Sequence, residues 1–341
     1  MQLVDRVYQT SRRLRMGRSP KAVILMYHRV FDSAIDPWGL SVTPSHFAEH
    51  LQVLKQQANP MGLAELAAAH RRGEVPERAV AVTFDDGYAD NLHHATPLLE
   101  EYGIPATIFI TTGFVGSSRE MWWDELERVL LTPGSLPERL KLTISGTVRS
   151  WELGTAARYT PEEAQADAGT RAWDGKPGSR LAFYYDVWDA LRKLPAQERQ
   201  PLQDQVIQWA GAATASRESH RALTQDELVT LSQSEVIEIG AHTVTHPSLP
   251  VHSREIQQSE IQTSKAQLEQ LLSREISSFS YPFGDFDRHS VTAAKNCGFD
   301  MACSTVQESV WKGSQRFQLP RYEVLDWDGN TFGQKLQHWL A

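Results

Sequence analysis

The chain of 341 residues is poor in cysteine, in basic charge and in long apolar runs. Cys297 and Cys303 are its only cysteines. Two thiols so close in sequence exclude a disulfide framework and a Cys-based zinc site, and buried free thiols are the expected state. No apolar run approaches the roughly 18 residues of a membrane span, so no transmembrane helix is expected. Lys and Arg number 34 against 42 Asp and Glu, a net charge of -8. That balance argues against a general nucleic-acid binder, which needs concentrated basic residues. The segment from Met1 to Arg18 lacks the apolar stretch of a signal peptide, which favours a cytoplasmic location. The single basic cluster, Arg12, Arg13, Arg15, Arg18 and Lys21, reads either as a solvated helix face or frayed terminus, or as a peripheral contact with the inner membrane face. Hydrophobic residues at 41% and charged residues at 22% exclude a disordered chain.

What is present is a strand–helix rhythm. Apolar runs at Ala22 to His28, Ala79 to Phe84 and Ala106 to Thr111 predict buried strands. Between them, helical patterns cover about Ser45 to Gln56 and Ala89 to Tyr102, the second ending at Gly103 as a C-cap. The rhythm resumes late. A T-x-x-E capping signature at Thr224 opens a helix. A strand at Val236 to Gly240 precedes a long helix from Ser253 to Leu272, a strand reaching Tyr281, a helix from Ser290 to Gly298, and strands near 300–304 and 319–324. This order predicts an α/β fold with parallel strands and right-handed crossovers, an incomplete, barrel-like sheet. Residues 117–235 differ in character, with helical patterns at Trp122 to Leu131, Leu181 to Leu194 and Gln197 to Trp209. They read as a mainly helical insertion into one domain whose core is 20–116 and 236–330.

Two clusters carry chemistry. In GAHTVTHP, His242 and His246 lie four apart and meet on one face if the backbone turns helically there; neutral imidazoles so paired suit zinc. In TFDDGY, Asp85 and Asp86 are adjacent carboxylates at a buried strand end, costly unless a cation compensates them. The alternative for the first is ordinary histidine packing, and for the second an Asp-Gly turn. Together they are sharper. Active sites of parallel α/β sheets sit at the carboxyl ends of strands, and His28, Asp85, Asp86, His242 and the Tyr281 to Phe283 stretch each follow a predicted strand.

The residues resemble a known family. TFDDGY is similar to the first motif of the polysaccharide deacetylases, the NodB-like carbohydrate esterase family four. HTVTH resembles the second motif, SYPFG the third, and the opening MYHRV followed by TFDDGYADN matches one branch of that superfamily. The resemblance implies a distorted (β/α) barrel and a metal-dependent hydrolase that removes N-acetyl groups from an amino sugar in a glycan or glycolipid. It implies Asp86, His242 and His246 as metal ligands, with zinc expected and Co, Ni or Mn as alternatives. Asp85 would be the general base and the N–H of Phe283 an oxyanion donor.

Two departures from the family pattern matter. Ser280 stands where the third motif often has Arg, so Asp85 needs another partner; Arg321 in LPRYEV is the candidate, against a surface ion pair. The late L-x-H motif is missing, so His28 becomes the candidate acid, against a structural histidine. Tyr281, Phe283, Trp123 and Arg321 are grouped as oxyanion or substrate-side residues, and core packing is the alternative for Trp122 and Trp123. Deformylation or O-deacetylation of a lipid-linked sugar, and a catalytically silent carbohydrate-binding protein, are the competing readings of the whole chain.

Overall fold

The computed structural model describes residues 21–213 and 216–341. Arg12, Arg13, Arg15 and Arg18 lie outside the described residues; Lys21 lies inside, and its Nζ donates to the backbone oxygen of Ala341 at 3.0 Å.

Seven strands form one curled sheet: β1 (Ala22–Tyr27), β2 (Ala79–Phe84), β3 (Ala106–Ile110), β4 (Ile237–Ala241), β5 (Ser278–Ser280), β6 (Met301–Cys303) and β7 (Tyr322–Glu323). Their spatial order is β6-β5-β4-β3-β2-β1-β7, and every neighbouring pair is parallel. Strands β1, β2 and β3 are buried along their whole length, which is why they read as continuous apolar runs rather than alternating ones. The expected incomplete α/β barrel is the architecture found.

The sheet curls toward closure through one short stretch. Leu319 exchanges backbone hydrogen bonds with Ala302 and Ser304 beside β6, and three residues later Tyr322 and Glu323 pair with Leu25 and Met26 of β1. Residues 319–323 therefore touch both edges of the open sheet, and Arg321 sits at the middle of that seam.

Helices Pro44–Gln57, Arg254–Leu272, Arg288–Asn296 and Gly329–Leu340 contribute buried residues to the main apolar core around the sheet. The first three are capped by Thr43, Ser253 and Asp287, whose side chains accept first-turn N–H groups. The elements between Trp122 and Ile207 pack around a second apolar cluster, built on helices Trp122–Leu131, Arg180–Arg192 and Ala196–Trp209 with a hairpin of Arg139–Ile144 and Thr147–Glu152. The helix Gln225–Leu231 packs on the main core instead, through Leu228 and Leu231. No helix among the described residues is long and apolar enough to cross a membrane.

Candidate active site

The carboxyl ends of β1, β2, β4 and β5 deliver the expected residues to one rim. Asp85 and Asp86 directly follow β2, His242 follows β4, and His28 follows β1. Asp86 turns away from the strand with φ 77°, in the left-handed region, and Gly87 continues the turn with φ 85°. Adjacent carboxylates thus leave the strand in different directions. The 242–246 segment leaves the strand without turning helically. Thr243 (φ 64°) and His246 (φ 53°) are left-handed residues of an irregular loop, tied by the His246 N–H donating to Thr243 Oγ1 at 3.1 Å. Glu260 accepts from the N–H groups of Val244 and Thr245, each at 2.8 Å, and fixes the loop to the long helix. The two imidazoles still meet, with ring centroids 4.9 Å apart.

Asp86 Oδ1 lies 3.6 Å from His242 Nε2 and 3.4 Å from His246 Nε2. His242 Nδ1 donates to the Ser280 carbonyl at 2.8 Å, which leaves the Nε2 lone pair facing Asp86. Burial lowers the pKa of both histidines, so both rings are neutral. Burial and the nearby Asp85 charge raise Asp86 well above the carboxylate range, and its Oδ1 is buried with no hydrogen-bond partner among the described residues. Three polar side chains converging in a buried site with no hydrogen bond between them are costly in a protein alone, and a divalent cation that displaces the carboxyl proton fits them. The ligating atoms of all three lie within 4.8 Å of one another.

Asp85 has the opposite environment. Burial raises its pKa, but Arg321 and then His242 outweigh that and hold it well below the ordinary range. Arg321 is fully buried, and its Nη1 and Nη2 donate to Asp85 Oδ1 and Oδ2 at 2.7 Å each. The same guanidinium donates to Thr83 Oγ1 at 3.1 Å, Ser280 Oγ at 2.8 Å and the Ser304 carbonyl at 3.0 Å, using all five of its donors. Ser280, small and polar where the family pattern often carries Arg, leaves room for a guanidinium arriving from the seam at 319–323. This placement corrects one expectation: Arg321 does not line the cleft on the substrate side, because its donors are all consumed beneath Asp85.

Tyr281 is a second correction. Its side chain is buried in the main core, its hydroxyl donates to the Phe317 carbonyl at 3.1 Å, and its N–H donates to Cys303 O. Neither group faces substrate. Phe283 does line the cleft: with φ 59° it turns its ring onto His246, 4.5 Å between centroids. Trp123 packs on the same histidine, also at 4.5 Å, and its Nε1 donates to Tyr88 Oη at 2.8 Å. His28 lines the cleft, and burial lowers its pKa to about 4. Its backbone is held by Asn91, whose Nδ2 donates to the His28 carbonyl at 2.8 Å, while Asp90 pairs with Arg29 at 2.9 Å and accepts the Val30 N–H. The MYHRV and YADN segments are therefore one hydrogen-bonded unit.

The cleft has a volume of about 420 Å³ and its outer wall is aromatic. Trp38 packs at a tilt against Trp188, 4.2 Å between ring centroids, and Trp173, 52% exposed, lies 5.9 Å from Trp38. Sequence reasoning singled out neither Trp38, Trp173 nor Trp188, because nothing local distinguishes them from core aromatics.

The profile of the polysaccharide deacetylase family matches residues 72–134 and 206–302. A poly-beta-1,6-N-acetyl-D-glucosamine N-deacetylase of Escherichia coli (strain K12) is 36% identical over 86 residues, 25% of this chain and 13% of that protein. The protein of the same description from Staphylococcus aureus (strain N315) is 35% identical over 108 residues, 28% of this chain and 37% of that protein. The chain thus spans well under half the length of these curated relatives. Among solved structures, the Streptococcus pyogenes deacetylase PplD, in complex with acetate, superposes with a TM-score of 0.58 at 18% identity, covering 95% of this chain and 99% of that one. IcaB from Ammonifex degensii gives 0.58 at 16% identity, covering 95% and 98%. The strand-end site, the family profile and the curled sheet agree: the chain is similar in sequence to the polysaccharide deacetylase family over the matched residues, and its fold is the NodB-like fold of these solved deacetylases.

Proposed function

We propose that this chain is a metal-dependent hydrolase that removes N-acetyl groups from an amino sugar in a glycan. The observation that carries the reading is the bare convergence of Asp86 Oδ1 with the Nε2 atoms of His242 and His246, beside a separately charged Asp85. A divalent cation held by Asp86, His242 and His246 would supply Lewis acidity toward the acyl carbonyl and acidify water; zinc suits these ligands best.

The remaining roles belong to the chain's own groups. Asp85, kept ionised by Arg321, accepts the proton of the attacking water. That pairing holds the carboxylate in place and weakens it as a base, so the water must be acidified for the transfer to proceed. His28 faces the cleft from the carboxyl end of β1, the strand beside β2, and hands a proton to the departing amine; its neutral resting state lets it take one up from solvent first. The N–H of Phe283, on a left-handed turn, is the donor for the developing oxyanion. Trp123 and Phe283 flank His246 and keep bulk water from the acyl group.

The relatives named above are described as acting on poly-beta-1,6-N-acetyl-D-glucosamine, so β-1,6-linked N-acetylglucosamine oligomers are the first substrates to test. Zinc-loaded protein should release acetate from them, and Asp85→Asn should lower turnover by about 10³ with metal content unchanged. A loaded protein that releases neither acetate nor formate from any N- or O-acylated amino-sugar oligomer would leave a carbohydrate-binding protein as the reading.

A further inference from the structure

A second cluster of potential ligands lies outside the cleft. Asp124, Glu127 and His220 are buried, and one ligand atom of each falls within 4.8 Å of the others. Asp124 and Glu127 are three apart on the helix Trp122–Leu131 and share a face; His220 comes from the short turn Glu218–His220, where the chain returns toward the sheet.

Each residue has one polar atom tied back and another without a hydrogen-bond partner among the described residues. Asp124 Oδ2 accepts from Tyr88 Oη at 2.7 Å, leaving Oδ1. Glu127 Oε1 accepts from Arg217 Nη1 at 2.8 Å, leaving Oε2. His220 Nδ1 lies 2.9 Å from Ser219 Oγ, leaving Nε2. Outer atoms held by a hydroxyl, a guanidinium and a hydroxyl orient ligands as metal sites require.

The neighbouring cations are committed elsewhere. Arg29 pairs with Asp90 and donates to the Ser219 carbonyl. Arg217 makes three bonds to Glu120 besides the one to Glu127 Oε1. Asp124 is thus a buried carboxylate with no ion-pair partner within 4 Å among the described residues, offset by the Tyr88 hydroxyl and, at longer range, by Arg29 and Arg217, and its burial outweighs them.

We propose that Asp124, Glu127 and His220 form a second divalent-cation site, one that clasps the outgoing and returning ends of the inserted segment. Two carboxylates and one imidazole suit a cation of intermediate hardness, Zn²⁺ or Mn²⁺. Its role is structural. Asp124 follows Trp123, whose indole packs on His246 and shares the Tyr88 hydroxyl, so the clasp sets the inner wall of the cleft.

The test is metal stoichiometry on the full chain, reconstituted separately with zinc and manganese and then desalted. The expected result with at least one of the two metals is two equivalents per chain, one after His246→Ala, and one after Glu127→Gln, a near-isosteric change that spares packing. Because either variant can be confounded by misfolding, thermal melting of the His246→Ala protein is the second readout: a chelator should lower its Tm by several degrees, and should not do so in the His246→Ala/Glu127→Gln double variant. A single equivalent in the wild-type chain that His246→Ala removes, two equivalents retained in Glu127→Gln, or no chelator effect on the His246→Ala protein overturns the proposal. A single equivalent in the wild-type chain that Glu127→Gln removes and His246→Ala keeps supports the clasp and defeats the hydrolase reading instead.

Discussion

The barrel rim and the inserted segment reach the same cleft by different physical means. The rim offers polar groups at or just past strand ends, fixed by hydrogen bonds to the sheet, to the long helix and to Asn91. The insertion offers rings, Trp123, Trp173 and Trp188, held by packing on Trp122 and on Trp38, the latter reaching them from the loop after β1. Chemistry demands ångström placement of charge, which strands provide; recognition of a sugar face demands only a flat apolar surface, which a more loosely specified segment provides.

Arg321→Met strikes the rim side hardest. It strands a buried Asp85 along with Thr83 and Ser280, and should cost about 3–5 kcal/mol of stability by urea denaturation, with activity lost as well. Arg321→Lys should recover only part, since an ammonium cannot span both carboxylate oxygens. A Met variant within about 1 kcal/mol of wild type would show that the rim is held some other way. The next effect is pH-dependent and belongs to the barrel alone. His50 is buried between Tyr27 and the Trp327 carbonyl, and desolvation lowers its pKa to about 4. Above about pH 6.5 it is neutral in both folded and unfolded chains. Below that, the unfolded chain gains a proton that the folded one refuses, so stability should fall by up to about 1.4 kcal/mol per pH unit between 6.5 and 4. Denaturation midpoints across that window, compared with His50→Leu, check it; an identical slope in the variant would assign the loss to other groups. The smallest effect tests the insertion. Trp173→Ala should leave stability within about 0.5 kcal/mol while raising KM for an oligosaccharide several-fold, the loss of about 0.5–1.5 kcal/mol of stacking. An unchanged KM would remove this ring from the substrate path.

What could be read from the sequence divides along the same line. Asp85, Asp86, His242 and His246 were legible because each sits one to six residues past an apolar run, and the parallel sheet brings strand ends together. Arg321 was legible only as a guess, since its partner is 236 residues away and LPRYEV contains nothing that distinguishes a barrel-interior guanidinium from a surface one. Tyr281 was placed on the wrong side because side chains alternate along a strand: Ser280 turns toward Asp85, so Tyr281 turns into the core. The loop path that brings His242 and His246 together was not legible, because two non-glycine residues adopt positive φ there, which no composition rule announces. The hairpin at 139–152 had a usable signal, the alternation in RLKLTI before Ser145 and Gly146, that the helical reading of the insertion passed over. The pairing of Asp124 and Glu127 with His220 had none, because the third member lies beyond the intervening packed helices.

The seam at 319–323 gives this molecule a built-in order of completion. Asp86, His242 and His246 are contributed by residues 86–246, and the Ser280 carbonyl that orients His242 also precedes the seam, so that trio needs nothing from residue 319 onward. The charge state of Asp85 does, because the guanidinium that answers it rides on the stretch that bridges the two sheet edges. A ribosome-bound or truncated chain ending before residue 319 would carry the ligand trio and lack a charged base. Competence to bind an ion and competence to turn over substrate are thus acquired at different lengths of chain, the second only when the barrel has been drawn shut.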